Sequence, residues 1–227
     1  MKILSVGGKL YHPALEITSI QESSLANCGT IEQYAYIIIS GGDGTIRRVL
    51  KKLHSLNHLP VFILNPIGSF NVVAKLHRTP KIQTVLELLA DDKMPKIEKH
   101  QIFTLNDELF LFSAGNMGDL QHIFLSETLR FGILEKGLLK YLLAVIFLLP
   151  IHLIMTPFML LSSKRFFIFT PFKFIKKLGS FYSEVKKEML IDLEHEYNLL
   201  ELDGDIVAIH SRYLHIRQAG YVSIVTR

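Results

Sequence analysis

The chain has 227 residues, of which 49% are hydrophobic and 20% charged, enough apolar material for one large domain or two small ones. This composition excludes a disordered chain, and the single cysteine, Cys28, excludes an intrachain disulfide and indicates a reducing, cytoplasmic compartment. The formal charge of +4 suits phosphate or anionic lipid better than nucleic acid, and the sequence contains no nucleic-acid-binding motif, so we expect no nucleic-acid partner.

Two strand-turn-helix segments are predicted in the first part of the chain. Residues 34–40 (YAYIIIS) are a β-branched run typical of a strand buried on both faces, and they lead directly into GGDGT. Apolar residues then recur at helical spacing, which predicts an amphipathic helix with a basic outer face formed by Arg47, Arg48, Lys51 and Lys52. A second strand over residues 59–65 ends at PIGS, and a further helix is predicted to begin near Asn71. This alternation predicts a parallel sheet that binds its ligand at the carboxyl ends of the strands.

The second part of the chain has a different texture. Strand-like pieces replace the alternating pattern from about Lys99, which places a boundary near residues 92–98. We therefore predict an α/β nucleotide-binding domain over residues 1–95 and a shorter, β-rich lipid-binding domain over residues 96–227. Within the latter, residues 184–197 (EVKKEMLIDLEHEY) fit a solvated helix with Met189, Leu190 and Leu193 facing inward.

An apolar insertion is predicted at about residues 138–177. Its first part, residues 138–163, has no charged residue between Lys140 and Lys164, and Pro150 divides it into halves too short to span a bilayer. Its second part, residues 164–177 (KRFFIFTPFKFIKK), alternates Phe with basic residues, as in surfaces that contact lipid headgroups. Contact with the inner face of the membrane, through anionic phospholipid, is our preferred interpretation. A buried helix followed by strands and a transmembrane span are the alternatives.

The first motif that carries chemistry is GGDGT. Phosphate binding needs backbone amides close to the phosphate oxygens, and Gly41, Gly42 and Gly44 allow that approach. Asp43 is a candidate Mg²⁺ ligand, and Thr45 is expected to cap the helix that follows. A tight strand-to-helix turn without a ligand is the structural alternative.

Two further motifs lie later in the chain. The turn at residues 65–71 (NPIGSFN) repeats the first geometry, and an ordinary turn opened by proline is its alternative reading. Its candidate ligand-binding residues are Pro66, Gly68, Ser69 and Asn71. Near the end of the sequence, LDGD brings Asp203 and Asp205 to either side of a glycine, where one could order a metal and the other could accept a proton. A hairpin turn of the Asp-Gly kind is the alternative.

Taken together, GGDGT, a Pro-x-Gly-Ser-x-Asn turn and a late DGD resemble the catalytic domain of the diacylglycerol kinase and sphingosine kinase family. The resemblance includes SAGNMG (residues 113–118) and GLLKYLLA (residues 137–144), and it implies an α/β domain and a β-rich sandwich with the active site between them. It further implies a lipid kinase that transfers the γ-phosphate of ATP to a lipid hydroxyl. The implied roles are ATP binding by both glycine turns, metal binding by Asp43 and Asp203, and catalysis by Asp205 as the base with Asp203 and Asp43.

The sequence departs from the family pattern at several positions. Val72 stands where the family has Asp, Arg47 and Arg48 replace a usual Asn-Glu pair, and Asp205 replaces a usual Glu. These departures, with the short second domain, leave open a nucleotide-binding membrane protein that has lost catalysis. A soluble-substrate kinase of the NAD kinase type, which shares GGDGT, is a second alternative.

Overall fold

The structure is a computed structural model, and its described residues leave gaps in the middle of the chain. Those residues are 1–29, 31–56, 58–68, 70–116, 146, 157–158, 160–162, 164–185 and 187–227. Ser69, residues 137–144 and most of the apolar segment 138–163 therefore lie outside the described residues, and the predictions made for them stay predictions. Within the described part of the chain, no helix is long and apolar enough to cross a membrane.

The chain divides into two compact units, each described here by itself. The first unit contains Met1–Phe103 together with Ala219–Arg227, and the second contains Thr104–Gln218. Two strands, β5 (Lys96–Leu105) and β14 (Tyr213–Thr226), contribute residues to both units. The first unit is therefore built from two separate stretches of the sequence.

A mixed, largely parallel sheet forms the first unit. Its remaining strands are β1 (Lys2–Val6), β2 (Glu16–Ile20), β3 (Tyr36–Gly41) and β4 (Val61–Pro66). The strand order is β2-β1-β3-β4-β14-β5, and β14 runs parallel to β4 with Ile224 opposite Phe62. Five consecutive buried residues make up most of β3, as expected for a strand covered on both faces. The prediction of a parallel α/β first domain followed by a β-rich region is thus confirmed.

Among the described residues, the α-helices that follow β3 and β4 are α1 (Asp43–Leu53), α2 (Val72–Leu76) and α3 (Ile82–Ala90). Two short 3-10 helices, Glu22–Asn27 and Ile31–Gln33, lie between β2 and β3. Helix α1 buries Ile46, Val49, Leu50 and Leu53 as the apolar spacing predicts. The prediction that Arg47 faces outward is wrong, since its side chain is 5% exposed. Helical geometry explains this, because Arg47 lies four residues after buried Asp43 and three before Leu50 on the same stripe.

The core on one side of this sheet joins distant parts of the sequence. Buried Ile3, Tyr36, Ile38 and Ile63 from the sheet pack in one cluster with α3, and Val225 of β14 belongs to the same cluster. At about 25 cal/mol per Å² of apolar surface, burial of such side chains is the main favourable term for this unit. The last strand is therefore part of the hydrophobic core and not an appendage.

The second unit consists mainly of antiparallel strands. They are β6 (Glu108–Phe110), β7 (Ser113–Gly115), β8 (Phe167–Phe169), β9 (Lys177–Leu178), β10 (Phe181–Tyr182), β11 (Glu188–Asp192), β12 (Asn198–Leu202) and β13 (Asp205–Ile209). One sheet has the order β13-β12-β7-β8-β10-β9, and β11 pairs separately with β14. The helix predicted over residues 184–197 is wrong, because β11 pairs antiparallel with β14 over five residues. Leu190, predicted to face inward, is 62% exposed.

Candidate functional site

The two predicted glycine turns begin level with each other at one edge of the parallel sheet. Strands β3 and β4 pair in parallel register, with Ser40 opposite Asn65 and Gly41 opposite Pro66. The Ile67 N–H donates to the Gly41 carbonyl over 3.2 Å, and the Asn65 amide donates to Ser40 Oγ over 3.0 Å. The turns that follow both strands are therefore held together by backbone and side-chain hydrogen bonds.

The glycines of these turns lie in direct contact. A methyl group placed on Gly68 would lie 2.9 Å from the Cα of Gly42, and one placed on Gly41 would lie 2.5 Å from Thr45 Oγ1. Real Cβ atoms do not approach other atoms so closely, so neither position accepts a side chain without a shift of its neighbours. A methyl group on Gly42 would meet nothing nearer than 3.6 Å. A methyl group at Gly42 would therefore make ordinary van der Waals contacts with the described residues and would fit without a shift.

Helix α1 begins at this edge without a side-chain cap. Its N-cap is Gly42, whose extended backbone makes no side-chain cap hydrogen bond, so the prediction that Thr45 caps the helix is wrong. Thr45 lies within the first turn, and its hydroxyl accepts from Arg48 Nη2 at 3.3 Å. Arg48 is itself fixed by a two-point ion pair with Glu22, at 2.8 and 3.1 Å. The positive end of the α1 dipole therefore faces the glycine turns, where an anion would be stabilised.

Asp43 connects the two turns. Its carboxylate accepts the N–H groups of Val72 at 2.7 Å and Val73 at 3.0 Å, and thereby caps the start of α2. The side chain is only 7% exposed, and burial raises the pKa of its carboxyl, while the N–H groups of Val73 and Val72 and the charge of Lys75 oppose that rise. Asp43 thus has a structural task in addition to any role toward a ligand.

Asn71, the last residue of the second motif, adopts an unusual backbone conformation. Its φ of 47° is left-handed, which asparagine tolerates better than most residues. The side-chain amide donates to the Gly68 carbonyl, while its Oδ1 is buried without a hydrogen-bond partner among the described residues. The amide oxygen is therefore a polar atom in the second turn that a ligand could satisfy.

A third glycine turn, after β1, lies at the same edge of the sheet. Strand β1 pairs in parallel with β3, with Val6 opposite Ile39, so Gly7 and Gly8 follow β1 next to the first motif. Gly7 has a φ of +81°, and a methyl group there would lie 2.7 Å from the Ser40 carbonyl oxygen. The pair of consecutive glycines directly after an apolar strand was the signal for this turn.

In the second unit, LDGD is a tight hairpin between β12 and β13. Leu202 pairs with Asp205, and the two residues between them, Asp203 and Gly204, have φ values of 51° and 90°. Two consecutive positive φ values are typical of the type I′ turn that Asp-Gly favours. The hairpin reading of this motif is thus correct for its backbone, and Asp205 is half-buried at the start of β13.

The Asp203 side chain does more than form a turn, since it lies inside the protein. It is 2% exposed and accepts the backbone N–H groups of Leu111 at 2.6 Å, Phe112 at 2.9 Å and Ser113 at 3.0 Å. Buried Glu201 extends this network, because it accepts from the Ser113 hydroxyl at 2.9 Å and from the Gly204 N–H. Glu201 was not predicted from the sequence, and Ser113 was included only as the first residue of SAGNMG in the family resemblance. The signal for Glu201 was an acid two residues before Asp203 in the strand NLLEL.

The part of the chain that contains the glycine turns is similar to a known family. Residues 10–102 match the model of the diacylglycerol kinase catalytic domain. The predicted family resemblance is confirmed. Curated proteins include a "Putative lipid kinase" of Streptococcus pneumoniae serotype 4, which is 28% identical over 130 residues. That alignment covers 56% of this chain and 42% of the relative's length.

Solved structures extend the likeness in fold to the whole chain. The crystal structure of a diacylglycerol kinase from Bacillus anthracis str. Sterne aligns with a TM-score of 0.58 and 14% sequence identity, covering 100% of this chain and 96% of that chain. A second structure from that strain, of "a putative diacylglycerol kinase", gives 0.55 and 12%, covering 100% of this chain and 97% of that chain. At such identity the likeness shows the fold alone, and it agrees with a diacylglycerol kinase-like α/β first domain.

Mg²⁺ requires oxygen ligands, and the acidic side chains of both motifs are the candidates. Within the described ranges, no three acidic, His or Cys side chains come together as a metal site. Both Asp43 oxygens and both Asp203 oxygens already accept backbone N–H groups. A cage of protein ligands does not fit these residues, whereas Mg²⁺ that keeps its waters and arrives with a nucleotide needs only one or two carboxylates.

The burial of Asp203 predicts a pH-dependent stability. Burial raises its pKa to about 8, although three N–H groups oppose the shift. The folded protein then holds a proton that the unfolded chain releases above its ordinary pKa near 3.8. This contribution to stability is complete below that lower value and is lost as the pH rises through about 8. We expect the free energy of unfolding in urea to fall over this range by at most about 1.4 kcal/mol per pH unit.

The matched variant for this titration is Asp203→Asn, which keeps the size of the side chain but cannot ionise. Its unfolding free energy should depend less on pH than that of the wild type over the same range. Equal slopes in the two proteins would show that Asp203 does not carry the effect.

Proposed function

We propose that this protein is a lipid kinase that binds ATP at the glycine turns of the first unit and phosphorylates the hydroxyl of a lipid. The observation that carries the proposal is the contact between the turns after β3 and β4, in a domain that matches the diacylglycerol kinase catalytic domain. Backbone amides that are not shielded by side chains, next to the positive end of a helix, suit the triphosphate. We further propose that the lipid lies at the cytosolic face of a membrane.

The site residues of the proposal are those of the two turns. Gly41, Gly42, Gly44 and Gly68 would admit the phosphates to the backbone, and Thr45, Pro66, Ser69 and Asn71 would line the same pocket for ATP. Mg²⁺ would accompany the phosphates and contact Asp43 through water, supplying positive charge that neutralises the phosphate oxygens. Asp43 also keeps the second turn next to the first through Val72 and Val73.

The proposed transfer is an in-line displacement at the γ-phosphorus. The lipid hydroxyl oxygen forms the new O–P bond, the bond from the γ-phosphorus to the β–γ bridging oxygen breaks, and ADP leaves with that electron pair. Asp205 would accept the hydroxyl proton as the general base. Asp203 would act mainly as a positioning residue, because its carboxylate holds the backbone of residues 111–113. Metal binding by Asp203 stays a prediction. Titration of the Asp203 variants with Mg²⁺ tests it.

One observation favours a second candidate, a nucleotide-binding protein without turnover. Val72 stands where the resemblance expects an aspartate, and its backbone N–H and that of Val73 engage both oxygens of Asp43. Since both Asp43 oxygens already accept N–H groups, the site is better suited to binding a nucleotide than to holding a metal ion for phosphate transfer. The two candidates differ in whether labelled phosphate reaches a lipid.

The experiment measures ATP affinity by equilibrium dialysis and transfer of labelled γ-phosphate to a panel of lipid alcohols in mixed micelles. In Gly42→Ala the added methyl is tolerated by the fold but occupies the space that a phosphate oxygen needs. We expect ATP affinity to fall at least about tenfold, or about 1.4 kcal/mol, with little change in melting temperature.

Gly29→Ala is the matched control, since a methyl group there meets nothing within 4 Å. It should keep both the stability and the ATP affinity of the wild type. Unchanged ATP affinity in Gly42→Ala would contradict the proposed site. Binding that depends on Gly42 without any labelled lipid would favour the candidate that lacks turnover.

A further inference from the structure

An exposed surface in the second unit combines large apolar side chains with lysines. We call it the Phe-Lys patch, and it comprises Phe172, Lys173, Phe174, Ile175, Lys176, Lys177 and Leu178. Phe174 is 92% exposed, and the other apolar members are between 39% and 53% exposed. Soluble proteins seldom leave several large apolar side chains together in water, so a contiguous patch of this kind marks an interaction surface.

Contacts with the rest of the second unit fix the conformation of the patch. A series of ring contacts between 5.8 and 6.1 Å leads from the buried interior to the tip of the patch. Its members, in order, are Phe112, Phe169, Phe167, Phe181, Phe172 and Phe174. The loop is also fixed by Ser183, which donates its N–H to the Lys176 carbonyl and its hydroxyl to the Ile175 carbonyl. Phe174 is therefore presented outward on an ordered support.

The sequence of the patch itself carries only positive charge. No acidic residue occurs between Lys164 and Ser183, a stretch that contains five basic residues. Lys177 lies 5.1 Å above the ring of Tyr182, and Lys176 pairs at 3.6 Å with Glu184, which follows that stretch. Lys173 lies between the two most outward phenylalanines. The partner of this surface must accept apolar side chains and carry negative charge beside them.

A cavity of about 540 Å³ adjoins the patch and shares Lys177 with it. Arg165 also lines this cavity, and its guanidinium donates to the Asn116 carbonyl at 2.8 Å. The acids in its wall are already engaged, since Glu194 pairs with Lys164 and Asp192 pairs with Arg212, both at 2.6 Å. The cavity thus places the positive charges of Arg165 and Lys177 beside the apolar side chains, where a phospholipid phosphate would lie.

We infer that the Phe-Lys patch is a docking surface for a bilayer that contains anionic phospholipid. Aromatic and aliphatic side chains enter the boundary between headgroups and acyl chains, while lysines meet the phosphates of the same leaflet. A nucleic acid would satisfy the lysines but would leave the apolar members in water. This inference deepens the proposed lipid kinase function, and it rests on that function for the choice of a membrane over a protein partner.

The test is sedimentation of the full chain with vesicles, without ATP. One set of vesicles is pure phosphatidylcholine, and the other has one part of phosphatidylglycerol to three of phosphatidylcholine. We expect the wild type to bind the anionic set more tightly than the neutral set. Phe174→Ser should weaken binding to the anionic set about tenfold, and Lys173→Gln about fivefold. Both side chains point outward, so the fold should survive the changes.

Matched controls come from an exposed pair in the first unit, Met94→Ser and Lys93→Gln, with Met94 80% exposed. These variants should bind like the wild type. Failure of the wild type to bind anionic vesicles, or equal binding by Phe174→Ser, would overturn the inference and favour a protein partner for the patch. The readout needs no turnover, so a failed phosphate-transfer assay would refute the kinase proposal and leave a positive vesicle result standing.

Discussion

Replacement of Asp205 by Asn should lower turnover of lipid phosphorylation by about a hundredfold to ten-thousandfold, the usual contribution of a general base. The amide keeps the shape of the side chain but cannot accept the hydroxyl proton. Because Asp205 is half-buried at a strand end, the substitution should leave the fold of the second unit unchanged. It should also leave ATP affinity unchanged, since the proposed ATP site is in the first unit. The measurement is the initial rate of labelled phosphate transfer at saturating ATP, together with ATP affinity by dialysis.

Asp205→Glu is the control for this prediction, since it restores a carboxylate with one more methylene. It should recover a substantial part of the turnover that Asp205→Asn loses. A turnover in Asp205→Asn within about threefold of the wild type would remove Asp205 from the role of base. Loss of ATP affinity in the same variant would instead indicate a structural defect.

Asp203→Ala should strongly destabilise the second unit. The substitution leaves the backbone N–H groups of Leu111, Phe112 and Ser113 buried without their acceptor. Each unsatisfied buried donor costs about 1–3 kcal/mol, so the three together should lower the unfolding free energy by at least about 3 kcal/mol. Urea unfolding followed by circular dichroism measures it.

The comparison with Asp203→Asn tests the anchor through its hydrogen bonds. The asparagine oxygen can still accept from Phe112 and Ser113, so its cost should be clearly smaller than that of alanine. Equal loss in the two variants would mean that these two hydrogen bonds do not hold residues 111–113. A loss below about 1 kcal/mol in Asp203→Ala would contradict the account of a buried anchor.

The part of the fold around the first glycine motif could be predicted from sequence, because local signals agree there. The apolar run before Gly41 has strand character, the glycines permit the turn, and Ile46, Val49, Leu50 and Leu53 recur at helical spacing. The strand, the turn and the helix are all present as β3, Gly42 and α1. Secondary structure can be predicted from sequence where residue propensity and the spacing of apolar residues indicate the same element.

Strand β11 shows where this approach failed. In residues 184–197, Met189 and Leu193 fit the inner face of a helix, but residues 189, 191 and 193 fit the inner face of a strand equally well. The pairing with β14 decided between them, with Leu190 opposite His215 and Ile191 opposite Leu214. Backbone partners that come from distant sequence are not visible in local periodicity.

The candidate site was predictable in its residues and not in their contacts. Motif spacing identified Asp43 and Asp203, yet both carboxylates accept backbone N–H groups from segments 29 or more residues away. An acidic side chain at a glycine turn gives no local indication of whether it faces solvent, metal or a buried amide. Only the three-dimensional arrangement distinguishes a ligand from an anchor.

Because residues Ala219–Arg227 belong to the first unit, that unit cannot complete its fold until the end of translation. Val222, Ile224 and Val225 of β14 are buried, and β14 lies between β4 and β5 in the sheet. A ribosome releases residues 219–227 only after the whole second unit has been synthesised. The sheet of the first unit would therefore remain open between β4 and β5 during translation, and the second unit has the opportunity to fold first. Until β14 pairs with its neighbours, the apolar side chains that pack against it remain exposed to water, where chaperones can bind them.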